Sequence, residues 1–460
     1  MKCSTKLITK LEDFLAHHDL NNHHFVLGLS GGIDSVVLLH LLHQSSISNS
    51  AISVIHVNHG LSEKAIAWQD FCEQLCNKYN INCVVEAVTL TEMHLGIEGA
   101  ARHARYQAFN KHLKERSVLL TAQHQDDQSE TLLLALKRGS GVLGLAGMLP
   151  VTSLFNSQHA RPLIDVSQQE INDYASVEHL VWVEDDSNND TRFDRNFLRH
   201  DILKSLNQRW PSFSKNTAKT AMLCQQQMEL ADEIAMSDFT NNHQSNNLNN
   251  NKKNDMLSLE LLSSLSDSRI NNLLRYWLRI NNVSLPSLKQ LEEIKQQCIG
   301  GRSDKSPIIK LGRVEIRCYA KYLYVLEGKF IDKPLSIICD IEAINNVTLP
   351  NQLGKINFYS KTPSLIVKAP KKQQIVTIEF GLAGSEKGWP TTRSKRRDLK
   401  KLWQEFNIPP WLRSEIPYLC YDGVIVAAIG YWVEKDFYVD NDFSCLNENI
   451  LNVEHHLNDK

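Results

Sequence analysis

The sequence predicts an α/β protein: a parallel sheet with helices on both faces, followed by a helical domain and a smaller α+β C-terminal domain. Short apolar strands alternate with amphipathic helices through the first half of the chain, which is the pattern of βαβ units. A mainly helical stretch follows, and the chain becomes rich in strands after residue 333. Its 460 residues suit two or three domains. We therefore expect domains at 1–212, 213–332 and 333–460.

The composition is that of an ordinary soluble protein, with 42% hydrophobic residues, 22% charged residues and a net charge of −2. This balance gives no overall sign of nucleic-acid binding, so any basic surface must be local. The first turns of the chain predict an amphipathic helix without the apolar core of a signal peptide. The longest apolar run, Val424 to Val433, is too short to span a bilayer. We expect a cytoplasmic protein without membrane contact.

One stretch near the N-terminus predicts a phosphate-binding loop. An apolar strand, 25–29, runs into Ser-Gly-Gly-x-Asp-Ser and then into a helix. Such a turn aims backbone N–H groups at an anion, and its two glycines leave no Cβ in the way. A carboxylate beside a phosphate repels it unless a cation lies between them, so Asp34 indicates Mg²⁺. The alternative is a tight turn whose glycines only satisfy sterics. The ATP-binding candidates are Ser30, Gly31, Gly32, Ile33, Asp34 and Ser35.

The βα alternation continues beyond this loop. Further strands are predicted at 51–57, 81–88 and 117–122. Helices are predicted from a serine cap at Ser62 to about residue 78, at 98–114 and at 125–138. Ligands of such sheets bind at the carboxyl ends of the strands. We therefore expect the loops 30–35, 56–59 and 123–127 to converge on one site.

Two of these helices carry unusual polar residues. Asp127 and Glu130 are three residues apart, hence neighbours on one helix face, and Asp126 adds a further acid at the same strand end. Simple capping is the alternative, because acids are favourable in a first helical turn. Arg102 and Tyr106 lie one turn apart on the preceding helix, where the alternative is a solvated face.

The middle of the chain is less specific. A long amphipathic helix at 217–236 precedes 238–254, which is dominated by asparagine. We expect this segment to be a low-complexity linker or mobile loop that cannot bury enough apolar surface to order itself. Two helices are predicted within 257–280, and the alternating stretches 308–317 and 322–326 predict a β-hairpin.

Five motifs occur in order along the first part of the chain: Ser30–Ser35, Arg102-x-x-Arg-Tyr106, His124-x-Asp-Asp-x-x-Glu-Thr131, Glu184-Asp-x-Ser-Asn188 and Arg195-Asn-x-x-Arg199. Together they resemble the tRNA(Ile)-lysidine synthetases of the pyrophosphate-loop ATP pyrophosphatase superfamily. Five ordered matches are far more specific than any one of them. The resemblance implies an adenine-nucleotide α-hydrolase-like fold and an enzyme that splits ATP between its α- and β-phosphates.

The reaction implied by this resemblance ligates free lysine to carbon 2 of the wobble cytidine of an isoleucine tRNA. ATP adenylates the cytosine oxygen with release of pyrophosphate, and the lysine amine then displaces AMP to give lysidine. The resemblance therefore implies ATP and Mg²⁺ as cofactors. It implies free lysine and isoleucine tRNA, bound through its anticodon loop, as partners, and it leaves a homodimer open.

The same resemblance suggests roles for individual residues. Asp34 would hold Mg²⁺, and Asp127 with Glu130 would meet the ε-ammonium of lysine. Arg195 would bind the lysine carboxylate, which matches the fork of a guanidinium. Arg102 would act near the α-phosphate during adenylation. We accordingly predict Asp34, Arg102 and Asp127 as catalytic residues.

A basic run with interleaved tryptophans marks the C-terminal part, where we expect the tRNA backbone to bind. The tRNA-binding candidates are Arg393, Arg396, Arg397, Lys400 and Lys401. The stretch from Leu399 through Pro-Pro-Trp-x-Arg413 resembles the C-terminal domain of the same family. That pattern has Gly-Gly just before its Leu-Lys pair, whereas 394–398 here is more basic.

Three other functions compete with this interpretation. A tRNA cytidine thiolase of the same superfamily would need paired cysteines, but the ten cysteines are scattered without Cys-x-x-Cys spacing and predict free thiols. An ATP-dependent amidotransferase would need a glutaminase nucleophile, and none begins the chain. A non-catalytic RNA-binding protein would have no need of Asp34, Asp126 and Asp127.

Overall fold

The computed structural model describes residues 3–60, 64–91, 96–184, 190–244, 256–300, 307–327, 334–340, 346–358, 365–439 and 450–456. The chain divides into two compact units, Met1–Ala231 and Asp232–Lys460. In the described part of the chain, no helix is both long enough and apolar enough to cross a membrane.

The first unit is built on a six-stranded sheet. Its strands are β1 (His24–Gly28), β2 (Ile52–Asn58), β3 (Asn82–Ala87), β4 (Ser117–Leu120), β5 (Val151–Leu154) and β6 (Ser157–Ala160). Their order is β3-β2-β1-β4-β6-β5, and all neighbours are parallel except the antiparallel edge pair β5 and β6. The chain order reverses between β1 and β4. In open parallel sheets, this switch point is where ligands bind.

The helices that begin in this unit precede, separate and follow its strands. They are α1 (Cys3–His17), α2 (Ile33–Gln44), α3 (Ala65–Lys78), α4 (Gly96–His112), α5 (Gln125–Lys137), α6 (Val142–Leu145), α7 (Gln168–Val177), α8 (Asp194–Phe197), α9 (Lys204–Arg209) and α10 (Phe213–Gln244). Phe25 and Leu27 of β1 point into the core formed with α1, α2 and α7, whereas Val26 packs with Phe109 of α4 on the other face. Strands buried on both faces require continuous apolar runs, which is why the run in β1 is not alternating.

The predicted elements of this unit are confirmed, with small shifts in their bounds. The capping box between Ser167 and Glu170 is present at the start of α7. Helix α3 begins at Ala65, after Lys64 and without a side-chain cap, and the predicted cap Ser62 lies outside the described residues.

The second unit begins with the end of α10 and a small α/β module. This module contains β7 (Met256–Ser258), α11 (Leu259–Ser264), α12 (Asp267–Ile280), α13 (Leu288–Ile294), β8 (Ile308–Leu311), β9 (Val314–Tyr319) and β10 (Tyr322–Glu327), with strand order β7-β10-β9-β8. The predicted hairpin is confirmed in β9 and β10, which pair antiparallel, but it is part of a larger sheet. Gly312, with φ +62°, turns the chain inside the first predicted strand and divides it in two.

The prediction of an unstructured segment at 238–254 is wrong for its first seven residues, because α10 continues to Gln244. Asp238 is only 1% exposed and forms an ion pair with Arg269 of α12. Phe239 joins the apolar core of the module. A buried carboxylate paired with Arg269 and a buried ring therefore order a stretch that composition alone predicts to be mobile. Residues 245–254 lie outside the described residues.

The C-terminal part is an α+β arrangement of two sheets. Its elements are β11 (Ile337–Cys339), β12 (Asn346–Thr348), β13 (Lys355–Phe358), β14 (Leu365–Lys368), β15 (Val376–Glu379), β16 (Lys387–Gly388), β17 (Arg397–Asp398), α14 (Leu399–Glu405), β18 (Tyr418–Tyr421), β19 (Val424–Ala428), β20 (Trp432–Val433) and β21 (Ile450–His456). The sheets β11-β15-β18-β19-β20 and β12-β13-β21-β14 share one core, in which Ile378 and Leu419 of the first meet Ile356 and Leu451 of the second.

Candidate functional site

The loop between β1 and α2 presents unpaired backbone N–H groups. Gly32 caps α2 with extended backbone, and its carbonyl accepts from the N–H of Val36 at 3.0 Å. The N–H groups of the first helical turn therefore have no partner inside the helix, which suits an anion. The Ser35 hydroxyl is buried and donates to the Gly32 carbonyl at 2.9 Å, whereas Ser30, 3.1 Å from it, is exposed. Ser30 is thus the hydroxyl that faces outward.

Gly31 is required by both its backbone conformation and its neighbours. Its φ is +86°, a region that favours glycine. A Cβ at this position would lie 2.7 Å from Cγ2 of Val183 and 3.3 Å from Sγ of Cys72. Val183 is held there because its N–H donates to the Gly31 carbonyl at 3.0 Å. The segment that leads towards the fourth motif therefore packs directly under the phosphate loop.

The loop after β4 fixes a buried histidine between two carboxylates. His124 caps α5: its Nδ1 accepts from the N–H of Asp126 at 3.2 Å, and its own N–H donates to Oδ2 of Asp127 at 3.0 Å. Since Nδ1 accepts, the ring hydrogen of neutral His124 is on Nε2. That atom lies 3.7 Å from Oδ2 of Asp34 and 3.4 Å from Oδ2 of Asp127. His124 thus connects the phosphate loop to α5.

Arg199 connects the two carboxylates that were predicted to bind lysine. Its Nε donates to Oε1 of Glu130 at 2.7 Å, and its Nη2 donates to Oδ1 of Asp127 at 2.9 Å. Arg199 lies in a π-helical segment, Leu198–Leu203, between α8 and α9. Such segments redirect side chains and are frequent at functional sites.

Asp34 accepts a hydrogen bond from a residue that is distant in the sequence. Gln168, in the first turn of α7, donates from Nε2 to Oδ1 of Asp34 at 3.1 Å. The Asp34 side chain remains 33% exposed. Burial raises the pKa of Asp34, an effect opposed first by His124 and reinforced by the negative charge of Asp127. A cation beside Asp34 would relieve that unfavourable charge.

Glu130 is the most deeply buried acid of the group, with 0% exposure. Burial raises the pKa of Glu130, and the positive charge of Arg199 opposes this rise. Its second oxygen, Oε2, is buried without a hydrogen-bond partner among the described residues. Asp34, Asp127 and Glu130 outnumber the two guanidinium groups near them, those of Arg199 and Arg195, so the group attracts cations.

The residues present fit Mg²⁺ in one particular way. Among the described residues, no group of three or more His, Cys, Asp or Glu side chains could hold a metal ion. Mg²⁺ is commonly bound by one or two carboxylates together with waters and substrate phosphates. Asp34, beside the phosphate loop and partly exposed, fits that mode, whereas an all-protein metal cage is not available in the described part of the chain.

Arg102 belongs to a second polar group on the other side of β4. Its Nη2 donates to the Tyr106 hydroxyl at 3.2 Å, and its guanidinium lies 4.9 Å from the centre of that ring. The Tyr106 ring meets His159 edge-on. Arg161 donates to Nδ1 of His159 at 3.1 Å, and the Nε2 hydrogen of His159 is directed at Thr121, 2.6 Å away. Burial, followed by the charges of Arg161 and Arg102, lowers the pKa of His159 to about 3.

Two further predictions concern the segment before α9. Arg195, on α8, is close enough to Glu130 for its charge to lower the pKa of that carboxyl. The acidic motif from Asp185 to Asn188 lies outside the described residues, although Glu184 before it is described.

The predicted tRNA-binding cations lie around α14, but their surroundings differ. Arg393 and Arg397 both pair with Glu405, at 2.8 and 2.7 Å, and Arg396 pairs with Asp436 at 3.1 Å. Lys400 and Lys401 are exposed. A paired arginine can still meet a phosphate, but its net electrostatic contribution is reduced by the acid beside it.

Three residues of this site have no role predicted from the sequence: His124, Gln168 and Arg199. His124 and Arg199 stand inside the quoted motifs, so the signal was available. Gln168 gives no signal, because its contact with Asp34 joins positions 134 residues apart and depends on how α7 packs.

The fold and this loop define a class of protein. Residues 3–206 match the family described as the PP-loop domain. The parallel sheet, the glycine turn and the carboxylate at the switch point between β1 and β4 are the architecture of this nucleotide-binding class.

The remaining matches identify the family. Residues 257–324 match the TilS substrate binding domain, and residues 376–449 match the TilS substrate C-terminal domain. A tRNA(Ile)-lysidine synthase of Serratia proteamaculans is 40% identical over 414 residues, which cover 90% of this chain and 92% of the relative. One of Photorhabdus laumondii is 38% identical, covering 89% and 90%. The chain belongs to the tRNA(Ile)-lysidine synthase family.

Among solved structures, the U34-tRNA thiolase NcsA from Methanococcus maripaludis aligns with a TM-score of 0.40 and 20% identity, over 49% of this chain and 81% of its own. That likeness is too distant to bear on the reaction.

Proposed function

We propose that the protein uses ATP to ligate free lysine to carbon 2 of the wobble cytidine of an isoleucine tRNA, through an adenylated tRNA intermediate. The observation that carries this proposal is the meeting of a phosphate loop with an acidic, arginine-clamped group at the β1/β4 switch point. The phosphate loop suits a nucleoside triphosphate, and the acidic group suits a cationic amino acid. Family membership joins the two in one reaction.

In the first half-reaction, the cytosine oxygen O2 attacks the α-phosphorus of ATP and pyrophosphate leaves. The free N–H groups at the start of α2 and the exposed Ser30 hydroxyl bind phosphate oxygens. Asp34 would hold Mg²⁺ beside the phosphates, where the ion would neutralise negative charge. His124 holds a hydrogen between Asp34 and Asp127 and so keeps both carboxylates in place.

Arg102 acts in the same half-reaction, where a guanidinium stabilises charge that develops on the α-phosphate. Contacts that hold Arg102 in position support this role. Arg102 donates to the Tyr106 hydroxyl, and the Tyr106 ring packs on the buried His159. Arg161 and Thr121 fix that histidine in turn.

In the second half-reaction, the ε-amine of lysine attacks carbon 2 and AMP leaves. Asp127 and Glu130 offer the lysine ammonium two carboxylates on one helix face. Support comes from Oε2 of Glu130, a buried acceptor without a partner among the described residues. Arg195, close to the same carboxyl, binds the lysine carboxylate.

Sulfur transfer, as in a thiolase, is a weaker candidate for this site. Cys72 is the thiol beneath the phosphate loop, and it is completely buried. Burial raises its pKa to about 12, so it is not a nucleophilic thiolate at neutral pH.

The proposal includes a cytoplasmic location and the three-domain division at 212 and 332. Its proposed partners are isoleucine tRNA, lysine and ATP, and light scattering of the free protein will decide whether it forms a homodimer.

The test combines the full-length protein, ATP, Mg²⁺, radiolabelled lysine and a transcript of isoleucine tRNA with cytidine at the wobble position. Label should enter the RNA only when ATP is present, and pyrophosphate should be released in proportion. Asp34→Asn should keep the fold and abolish both signals, whereas Asp173→Asn, on the exposed face of α7, should leave them unchanged. Near-normal activity of Asp34→Asn would refute the metal assignment.

Arg102→Ala separates the half-reactions. It should reduce pyrophosphate release measured without lysine, while the Michaelis constant for lysine in the residual reaction changes little. A loss confined to lysine use would reassign Arg102.

A further inference from the structure

An exposed tryptophan stacks on a partly buried phenylalanine on the catalytic unit, outside the site described above. Trp210 is 56% exposed and stacks on Phe213, with ring centres 6.5 Å apart and planes inclined by 29°. An exposed tryptophan offers a large flat apolar face with a polar N–H, a combination that is enriched at binding surfaces.

The sequence segment that contains this pair carries one sign of charge. From residue 202 to residue 228, the sequence contains no aspartate or glutamate. The same stretch contains four cations, all exposed: Lys204, Arg209, Lys215 and Lys219. In a chain with net charge −2, this is a marked local excess of positive charge. The partner favoured by charge is therefore a polyanion.

The pair is held rigidly rather than on a mobile loop. Asn207 spans the turn, because its Nδ2 donates to the Ser214 hydroxyl at 3.0 Å and its Oδ1 accepts from the Ser214 N–H at 3.3 Å. The start of α10 is then fixed to the catalytic helix α5 by a hydrogen bond between Thr217 and Ser129. The two rings thus keep a fixed position relative to Asp127 and Glu130.

The first part of α10 has one buried face and one exposed face. Ser214, Thr217, Ala221 and Gln225 are buried against the rest of the catalytic unit. Lys215 and Lys219, one turn apart, lie on the exposed face.

We infer that Trp210 and Phe213, with Lys215 and Lys219, form an RNA-binding platform on which an unpaired base of the tRNA substrate stacks while the lysines contact its backbone. The inference rests on the proposed function for the identity of the RNA. Aromatic rings among cations are the recurring means of binding single-stranded nucleic acid.

Trp210 follows Arg199 by eleven residues of nearly continuous helix, which corresponds to about 16 Å along the helix axis. The stacked base is therefore a neighbour of the modified cytidine and not the cytidine itself.

The test compares two RNAs: an anticodon-arm hairpin with an unpaired loop, and a blunt duplex of equal length. Trp210→Ala should weaken hairpin binding roughly 5- to 150-fold, the usual effect of removing one stacking ring, and should leave duplex binding nearly unchanged. Trp210→Phe should restore most of the affinity. Replacing Lys215 and Lys219 by Gln should weaken both RNAs and lower the salt dependence of binding.

The matched control is Lys114→Gln, an exposed cation just before β4 and hence at the opposite edge of the sheet, which should bind both RNAs normally. The Michaelis constant for ATP should be unchanged in every variant, which excludes unfolding. Equal affinity of Trp210→Ala and wild type for the hairpin would overturn the platform while leaving the proposed function intact. Failure of the wild type to bind either RNA would overturn both.

Discussion

The ion pair between Arg199 and Glu130 allows a quantitative prediction of stability. Arg199→Gln removes the guanidinium and leaves the carboxyl of Glu130, which is 0% exposed, without its cation. Removing one partner of a buried pair typically costs about 3–5 kcal/mol. The Arg199 side chain is 40% exposed, so solvent already weakens the pair, and we expect a loss of about 2–3 kcal/mol at pH 7.5.

Protonation of the carboxyl sets an upper limit to the electrostatic part of this loss. The ordinary pKa of Glu130 is 4.5, and each pH unit above it costs about 1.4 kcal/mol to keep the group neutral. The limit is therefore about 4 kcal/mol at pH 7.5 and about 2 kcal/mol at pH 6.0. Because burial raises the pKa in the folded state, the folded state binds more protons than the unfolded state above pH 4.5. Stability from this group thus falls as pH rises towards the folded pKa, and the variant should lose more at high pH.

Hydrogen exchange of the α5 amides in the full-length protein measures this loss as a change in opening free energy. The double variant Arg199→Gln/Glu130→Gln should recover most of the stability, since no buried charge remains. Arg192→Gln, which removes an 88% exposed guanidinium from its pair with Asp190, is the matched control and should have little effect. A loss that is the same at pH 6.0 and pH 7.5, or that the double variant does not reverse, would refute the reasoning.

The remaining predictions concern ATP, lysine and tRNA. Gly31→Ala should cost about 2–4 kcal/mol of local stability from backbone strain and overpacking, and should raise the Michaelis constant for ATP in pyrophosphate-release assays. Glu130→Gln should raise the Michaelis constant for lysine far more than that for ATP, and equal effects on both would make the acidic pair structural. Reversing Arg396, Arg397 and Lys400 to Glu should weaken tRNA binding and flatten its salt dependence without changing ATP affinity; unaltered binding across several salt concentrations would make this run a solvated face.

The sequence was sufficient where structure depends on local interactions. The strand, glycine turn and helix around Gly31 are specified by neighbouring residues, and so is the capping box from Ser167 to Glu170. The convergence of the β1 and β4 loops was also predictable, because parallel strands place their carboxyl ends at one edge. The acidic pair Asp127 and Glu130 followed from helical spacing.

Long-range packing decided the rest. The sequence places Arg199 near Arg195 but does not reveal that a π-helical turn directs it onto carboxylates about 70 residues earlier in the chain. Likewise, Asp238 belongs by composition to a polar linker, yet its pairing with Arg269 orders it. Fixing two distant segments costs conformational entropy. A polar contact between the segments compensates for this cost only when apolar packing has already brought the segments together. Residue spacing determines which side chains share a face, whereas the tertiary structure alone decides which other element that face meets.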